Sequence, residues 1–174
     1  MISGCRVDFL FLLWRRFHIW VLFHALAIGK KSRLVKHILF ICTGNSCRSA
    51  IAEALTNHLG ADRFHAHSAG SQPVGFIHPQ AIATLARHAM STEALYSKSW
   101  DRFEGCRFNL VITVCDSAAQ EACPVFVGKY KRLHWSIPDP AAVTGKQTEI
   151  DAAFDQTFTL IKNKIEQEIL LSET

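Results

Sequence analysis

The sequence predicts an α/β fold, a single-domain three-layer sandwich with a central parallel four-stranded sheet flanked by helices. Three observations carry this expectation. Four short apolar runs have the length and composition of buried strands. They alternate with longer segments that repeat their apolar residues at helical spacing, the pattern of βα units. Small-residue or proline-bearing loops follow the strands, and right-handed crossovers would gather those loops along one edge of the sheet.

The elements follow in order. His37-Ile38-Leu39-Phe40-Ile41-Cys42 is the first strand, ending in the small-residue loop Thr43-Gly44-Asn45-Ser46. A helix is expected from Arg48 to Leu59, with Ile51, Leu55 and Leu59 on one face. Phe64–His67 is a second strand, stopped by Ser68-Ala69-Gly70-Ser71. Pro79 suits the first turn of a helix whose apolar residues are Ile82, Leu85 and Ala86. Phe108–Val114 is the most strand-like run, and Lys131–His134 is a shorter one. After Pro138-Asp139-Pro140, a long amphipathic helix from Thr148 to Leu171 carries Ile150, Phe154, Phe158, Ile161, Ile165 and Ile169 as its stripe. No internal repeat, low-complexity tract or second domain is evident.

A length of 174 residues suits one domain with a sizeable core, and 49% hydrophobic against 20% charged residues is a globular balance. The net charge of +4 sits at the amino end. Residues 1–36 hold Arg6, Arg15, Arg16, Lys30, Lys31, Arg33 and Lys36 against Asp8 alone, which leaves the remainder slightly acidic. That body offers no basic face for nucleic acid. Residues 1–35 form a hydrophobic and basic extension, and residues 36–174 form the domain. The apolar stretches Phe9–Trp14 and Phe17–Gly29 are interrupted by Arg15-Arg16, which disfavours a membrane span. Lys30-Lys31 stands where a signal peptide would place its small-residue cleavage site. An interfacial helix is compatible with the pattern, but a translation start assigned too early accounts for it most simply. Without a secretory signal, the six cysteines belong to a reducing cytoplasm and suggest redox-active thiols rather than a disulfide framework.

The segment Cys42-Thr43-Gly44-Asn45-Ser46-Cys47-Arg48-Ser49 is a Cys followed by five residues and an Arg. A strand delivers Cys42 to a loop whose backbone N–H groups turn inward ahead of a helix N-terminus, which makes an anion cradle. The same groups are expected to lower the thiol pKa, so that Cys42 is largely thiolate at neutral pH. Gly44 is expected to supply the backbone freedom of the tight turn. Arg48 adds a planar, always-charged fork for two oxygens of a tetrahedral oxyanion. Ser49 is placed to donate to the thiolate, and Asn45 to hold the loop in shape. Cys-x5-Arg is weak by itself; with the strand before it, the Gly within it and the helix after it, the signal is strong.

Chemistry of this kind needs a proton for the departing oxygen, and Asp139, stiffened by Pro138 and Pro140, is the candidate. Cys115 ends the strongest strand, and Cys123 follows eight residues later across a small, polar linker. Such a linker lets one thiol approach Cys42 and pass its oxidation to the other. Two buried core cysteines are the plain alternative. Cys47 is a rival partner for Cys42, while Cys5 and Cys106 look incidental. The cysteine spacing is wrong for zinc, the nine histidines show no ligand spacing, and no metal or other cofactor is expected.

From Lys36 to Leu171 the chain resembles the arsenate reductases built on the low-molecular-weight tyrosine phosphatase fold. The resemblance is carried by Phe40–Ser49, Ser68-Ala69-Gly70-Ser71, Ser97-Lys98-Ser99-Trp100, Val111–Asp116, Ala122-Cys123-Pro124 and His134–Pro140. The first and last are shared in outline with the phosphatases, whereas the Cys115/Cys123 segment and His134-Trp135 resemble the reductases. It implies that Cys42 attacks arsenate while Asp139 helps water leave. Cys115 then attacks Cys42 to release arsenite, and Cys123 attacks Cys115. The resulting Cys115–Cys123 disulfide would be reduced by thioredoxin or by glutaredoxin/glutathione, with phosphate as a competing oxyanion. Departures are Ala50 for a common Gln or Pro, Ser136 for a usual Gly, and no Gly in Arg87-His88-Ala89-Met90. The competing expectation is a low-molecular-weight protein tyrosine phosphatase that hydrolyses a Cys42 phosphoenzyme. A third is a non-catalytic oxyanion-binding module, which the intact Cys42, Arg48 and Asp139 speak against.

Overall fold

The computed structural model describes residues 34–121 and 125–171. The amino-terminal extension up to residue 33, the segment 122–124 with Cys123, and residues 172–174 lie outside the described residues. Four strands, β1 (Lys36–Cys42), β2 (Phe64–Gly70), β3 (Leu110–Thr113) and β4 (Lys131–His134), form one sheet in the order β2-β1-β3-β4. Every pairing is parallel. The helices are α1 (Arg48–Leu59), α2 (Pro79–Arg87), α3 (Asp116–Gln120) and α4 (Gln147–Ile165). The expected four-stranded α/β sandwich is therefore the observed architecture.

Strand β1 is central and apolar on both faces, with Ile38 through Cys42 all buried, as parallel sheets covered on two sides require. On one face Phe40 meets Trp135, whose indole N–H donates to Glu168 just beyond α4 (2.8 Å). Helix α1 packs against β1, β2 and α4 on that side. On the other face His67 meets Phe103, and Phe103, Phe108 and Phe126 stack edge to face in succession. The expected α4 stripe is the buried one: Phe154, Phe158, Ile161, Ile165 and Ile169 are covered and Ile150 is half-buried. Each fully covered side chain of this size contributes about 1.5–3 kcal/mol of hydrophobic stabilisation. The helix starts where Glu149 reaches back to the Lys146 N–H (3.0 Å), half of a capping box. Its last turns, Glu166–Leu170, widen to π-type spacing. Among the described residues no helix is long and apolar enough to cross a membrane.

Three expectations need correction. Strand β2 does not stop at His67 but runs to Gly70 in register with Cys42. The Ser68 hydroxyl is satisfied by Glu53 and Asn45, so a polar residue sits inside a strand without an orphaned group. Strand β3 is shorter than Phe108–Val114, because its ladder with β1 spans only Leu110 to Thr113. In α2 the buried residues are Ala81, Thr84 and Leu85, whereas Ile82 and Ala86 face outward. The buried face is therefore shifted by one residue from the expected phase.

Helix α2 ends in a Schellman motif. The Met90 N–H reaches Leu85 O (3.0 Å) and the Ala89 N–H reaches Ala86 O (3.0 Å). Ala89 has φ 56°, a left-handed position that usually falls to glycine.

Candidate active site

The strand order reverses between β1 and β3, since β1 connects outward to β2 and β3 outward to β4. The carboxyl ends of β1 and β3 therefore open a crevice, the usual place for chemistry in such sheets. Cys42 ends β1, and Cys115 lies two residues beyond β3. Both are free and buried.

The loop between Cys42 and α1 is organised by Asn45. This residue has φ 45° and is fully buried. Its amide donates to Ser49 Oγ (2.9 Å) and Ser68 Oγ (2.8 Å), while its carbonyl accepts from the Lys98 N–H (2.8 Å). The left-handed residue of this turn is therefore Asn45, and Gly44, expected to supply the backbone freedom, does not take a positive φ. Asn tolerates that region better than other side chains, and here three hydrogen bonds hold it. Close approach demands a glycine instead at Gly70, where a Cβ would lie 2.4 Å from the Thr43 carbonyl oxygen.

The Asn45 N–H donates to Cys42 Sγ (3.1 Å), and Ser49 Oγ lies 2.9 Å from the same sulfur. Helix α1 begins immediately behind, and Cys47 at its cap supplies no side-chain hydrogen bond. The Ser49 N–H of its first turn also acts on the Cys42 thiol, and a helix N-terminus favours an anion. Burial nevertheless pushes the Cys42 thiol up, with Ser49 and Asn45 pulling the other way and the nearby Cys115 adding to the rise. Burial thus works against the lowered thiol value expected of the loop, while the hydrogen bonds from Ser49 and Asn45 work for it.

Arg48 opens α1 and reaches across to the loop after β4. Its Nη1 donates to Ile137 O (3.0 Å) and its Nη2 to Asp139 Oδ2 (2.8 Å). The other Asp139 oxygen accepts from the Ala141 N–H (3.1 Å), capping the short turn Pro140–Ala142. The structure thus brings Cys42, Arg48, Ser49 and Asp139 together, and Thr43, Gly44, Asn45, Ser46 and Cys47 form the loop between them. The loop is also moored to α2, since the His78 N–H donates to Ser46 O (3.1 Å).

Cys115 joins the cradle from the neighbouring strand. Its sulfur lies 3.7 Å from Thr43 Oγ1. The linker expected to follow it begins as a helical turn, α3, and Cys123 lies outside the described residues. Beside Cys115, the His134 ring bridges Thr113 Oγ1 (2.8 Å) and Asp116 Oδ1 (2.9 Å), and Ser136 donates to Asp116 Oδ2 (3.0 Å). Hydrogen bonds from Ser136 and His134 hold the exposed Asp116 carboxyl below its ordinary value.

Sequence reasoning missed the polar layer beneath the loop. Ser68 donates to Glu53, and Lys98 Nζ lies 3.2 Å from the same Glu53 oxygen, with both charged side chains buried. Helical spacing offered a signal for Glu53, since an acidic residue falls among Ile51, Ala52, Ala54 and Leu55 on an inward-facing stretch.

The family model for low molecular weight phosphotyrosine protein phosphatase matches residues 37–172. An arsenate reductase of Bacillus subtilis is 33% identical over 132 residues, covering 76% of this chain and 94% of the relative. A thioredoxin-dependent arsenate reductase of Corynebacterium glutamicum, of known structure, is 28% identical with a TM-score of 0.60 and covers 83% of this chain and 66% of its own. A structure described as an arsenate reductase in the phosphate binding state superposes with a TM-score of 0.63 at 24% identity, over 78% of this chain and 98% of the other. That last likeness is one of fold.

Proposed function

The chain belongs to the low molecular weight phosphotyrosine protein phosphatase family and is an arsenate reductase within it, and from that premise we propose a three-cysteine route from arsenate to arsenite. The observation that carries the route is the approach of Cys115 Sγ to Thr43 of the Cys42 loop (3.7 Å). A phosphatase needs no second thiol there.

Arsenate binds at the N-terminus of α1 and is gripped by Arg48. The Cys42 thiol proton passes by way of the arriving oxyanion to the Asp139 carboxylate as sulfur attacks arsenic. Asp139 returns that proton to the departing oxygen, which leaves as water. Cys115 attacks Cys42 Sγ, and the S–As bond breaks with its electron pair staying on arsenic. Arsenic(V) thereby becomes arsenite, and two thiols become the Cys42–Cys115 disulfide. Cys123 next attacks Cys115, frees Cys42 and leaves a Cys115–Cys123 disulfide for an external dithiol to reduce. The Corynebacterium relative supports thioredoxin as that dithiol, with glutaredoxin/glutathione as the second candidate. Phosphate fits the same cradle but ends as a dead-end competitor, because phosphorus(V) is not reduced by a thiol. The domain, residues 36–174, works in the reducing cytoplasm, and the family match leaves out the extension of residues 1–35.

The test is arsenite production with thioredoxin and with glutaredoxin/glutathione, for wild type, Cys115→Ser and Cys123→Ser. The expected result is multiple turnover by wild type alone, with a Cys42–Cys115 disulfide accumulating in Cys123→Ser. Aryl phosphate hydrolysis without arsenite formation, unaffected by either substitution, would overturn the route.

A further inference from the structure

Three histidines that look unrelated in the sequence converge on one face of the sheet. In the parallel register His37 of β1 stands directly opposite His65 of β2. His67 lies two residues further along β2, and alternation of side chains returns it to the same face. Each ring offers a nitrogen within 4.8 Å of the nitrogens of the other two. The ring centroids are 5.5 Å apart for His37 and His65, and 4.6 Å for His65 and His67.

The backbone around the cluster is fixed. Asn109, just before β3, clamps His37, with its side-chain oxygen accepting from the His37 N–H (2.8 Å) and its own N–H donating to His37 O (2.8 Å). His67 is seated against Phe103 (centroids 5.4 Å), whereas His37 and His65 are exposed. One side of the cluster is thus walled by an aromatic ring and the other is open to water.

We propose that His37, His65 and His67 form a binding site for a first-row divalent cation of the zinc class, with three imidazole ligands and water in the fourth position. Three imidazoles without a thiolate or carboxylate suit borderline ions such as Zn2+, Ni2+ and Cu2+ rather than Mg2+ or Ca2+. Tetrahedral coordination at about 2.0–2.1 Å sets ligand nitrogens about 3.3 Å apart. Rotation of the two exposed rings supplies the inward movement from the present spacing, with no change in the strands. The ligands must be neutral, and here burial and the neighbouring imidazoles hold His67 down to about 4.

The site is separate from the reaction centre. His37 precedes Cys42 by five residues on the same strand, about 16 Å at the rise of a parallel strand. A cation bound there would cross-link the amino ends of β1 and β2 without occluding the cradle. Its consequence is stability of the β1–β2 pair.

The test is Zn2+ titration of the full chain by calorimetry, together with thermal unfolding at increasing Zn2+. Wild type, His65→Ala, His37→Ala/His65→Ala and Cys115→Ser are compared, the last because thiols also bind zinc. The expected result is one equivalent bound by wild type and by Cys115→Ser, a tenfold or greater loss of affinity in His65→Ala, and a zinc-dependent rise in Tm that the double variant lacks. His65 is exposed, so circular dichroism and unchanged arsenate turnover establish that its variant is folded. No binding, binding unchanged in the double variant, or binding abolished by Cys115→Ser would each overturn the site.

Discussion

The Arg48 guanidinium and the Asp139 carboxylate form an ion pair at 2.8 Å, so the cation proposed to grip the oxyanion and the acid proposed to protonate the leaving oxygen are tied to each other. An incoming anion must share Arg48 with Asp139. This arrangement separates two effects of Asp139→Asn. Loss of the acid should lower kcat by about 10²–10⁴-fold. Removing the carboxylate also removes the competitor for Arg48 and a like charge from the anion site. Competitive inhibition by phosphate should therefore tighten, or at least hold. Steady-state kinetics with phosphate as inhibitor reads both quantities. A weaker phosphate affinity accompanying the fall in kcat would show that Asp139 shapes the loop rather than supplying the proton.

Cys47 shares the loop with Cys42 but not its chemistry. Burial and then the Asp139 carboxylate push its thiol up to about 12. A thiol with that value stays protonated through neutral pH. At pH 8 its thiolate fraction is about 10⁻⁴, against roughly a quarter for an ordinary cysteine. Cys47 should then be a slow site in iodoacetamide mapping at pH 8, gaining label only as pH rises toward its own pKa. Cys47→Ser should keep arsenate turnover of the same order as wild type. Rapid labelling of Cys47, or a Cys42–Cys47 disulfide during turnover, would contradict this.

The reactive loop was legible because its parts lie within eight consecutive residues, Cys42 to Ser49, bounded by a strand and a helix that each declare themselves by periodicity. Asp139 was legible for a similar reason, since Pro138 and Pro140 mark a stiff loop. What escaped depends on register. Glu53, Ser68 and Lys98 meet only once α1 lies over β2 and the segment after α2 returns beside the loop. His37, His65 and His67 share a face only after β1 and β2 pair. A one-residue slip would send each histidine to the other side, so linear spacing carries no trace of the cluster. The end of β2 was misjudged because serine and glycine are turn residues by propensity, whereas here Ser68 is a buried hydrogen-bonding post and Gly70 admits the Thr43 carbonyl.

Glu53 and Lys98 meet at 3.2 Å beneath the loop, with side chains 10% and 6% exposed. Burial raises the Glu53 carboxyl, with Lys98 and Ser68 opposing that rise. Lys98→Met would leave a carboxylate buried without its counter-charge, a loss of about 3–5 kcal/mol. The pH dependence gives the mechanism away. A carboxyl whose folded pKa lies above its unfolded value favours the folded state most below the unfolded value, and that contribution falls as pH rises through the folded value. The deficit of Lys98→Met relative to wild type should therefore be larger at pH 7 than near pH 4.5. Urea unfolding at the two pH values measures it. An equal deficit at both would assign the loss to packing against Tyr96, whose ring centroid lies 4.3 Å from Lys98 Nζ.

The end of α2 offers a prediction of the opposite sign. Ala89 occupies the left-handed position of the Schellman motif at φ 56°, where a Cβ is strained by about 1 kcal/mol. Ala89→Gly relieves that strain, and the added freedom of the unfolded chain takes back part of it. The net expectation is a stabilisation of about 0.5 kcal/mol, or a rise in Tm of roughly 1–2 °C for a domain of this size. The same exchange at Ala86, an exposed position inside the helix with ordinary helical backbone, should lower stability by about 0.5–1 kcal/mol. Scanning calorimetry of the two variants side by side decides the matter, because the chemical change is identical and only the backbone conformation differs. If both variants were destabilised alike, the left-handed turn at Ala89 would not be the one the protein adopts in solution.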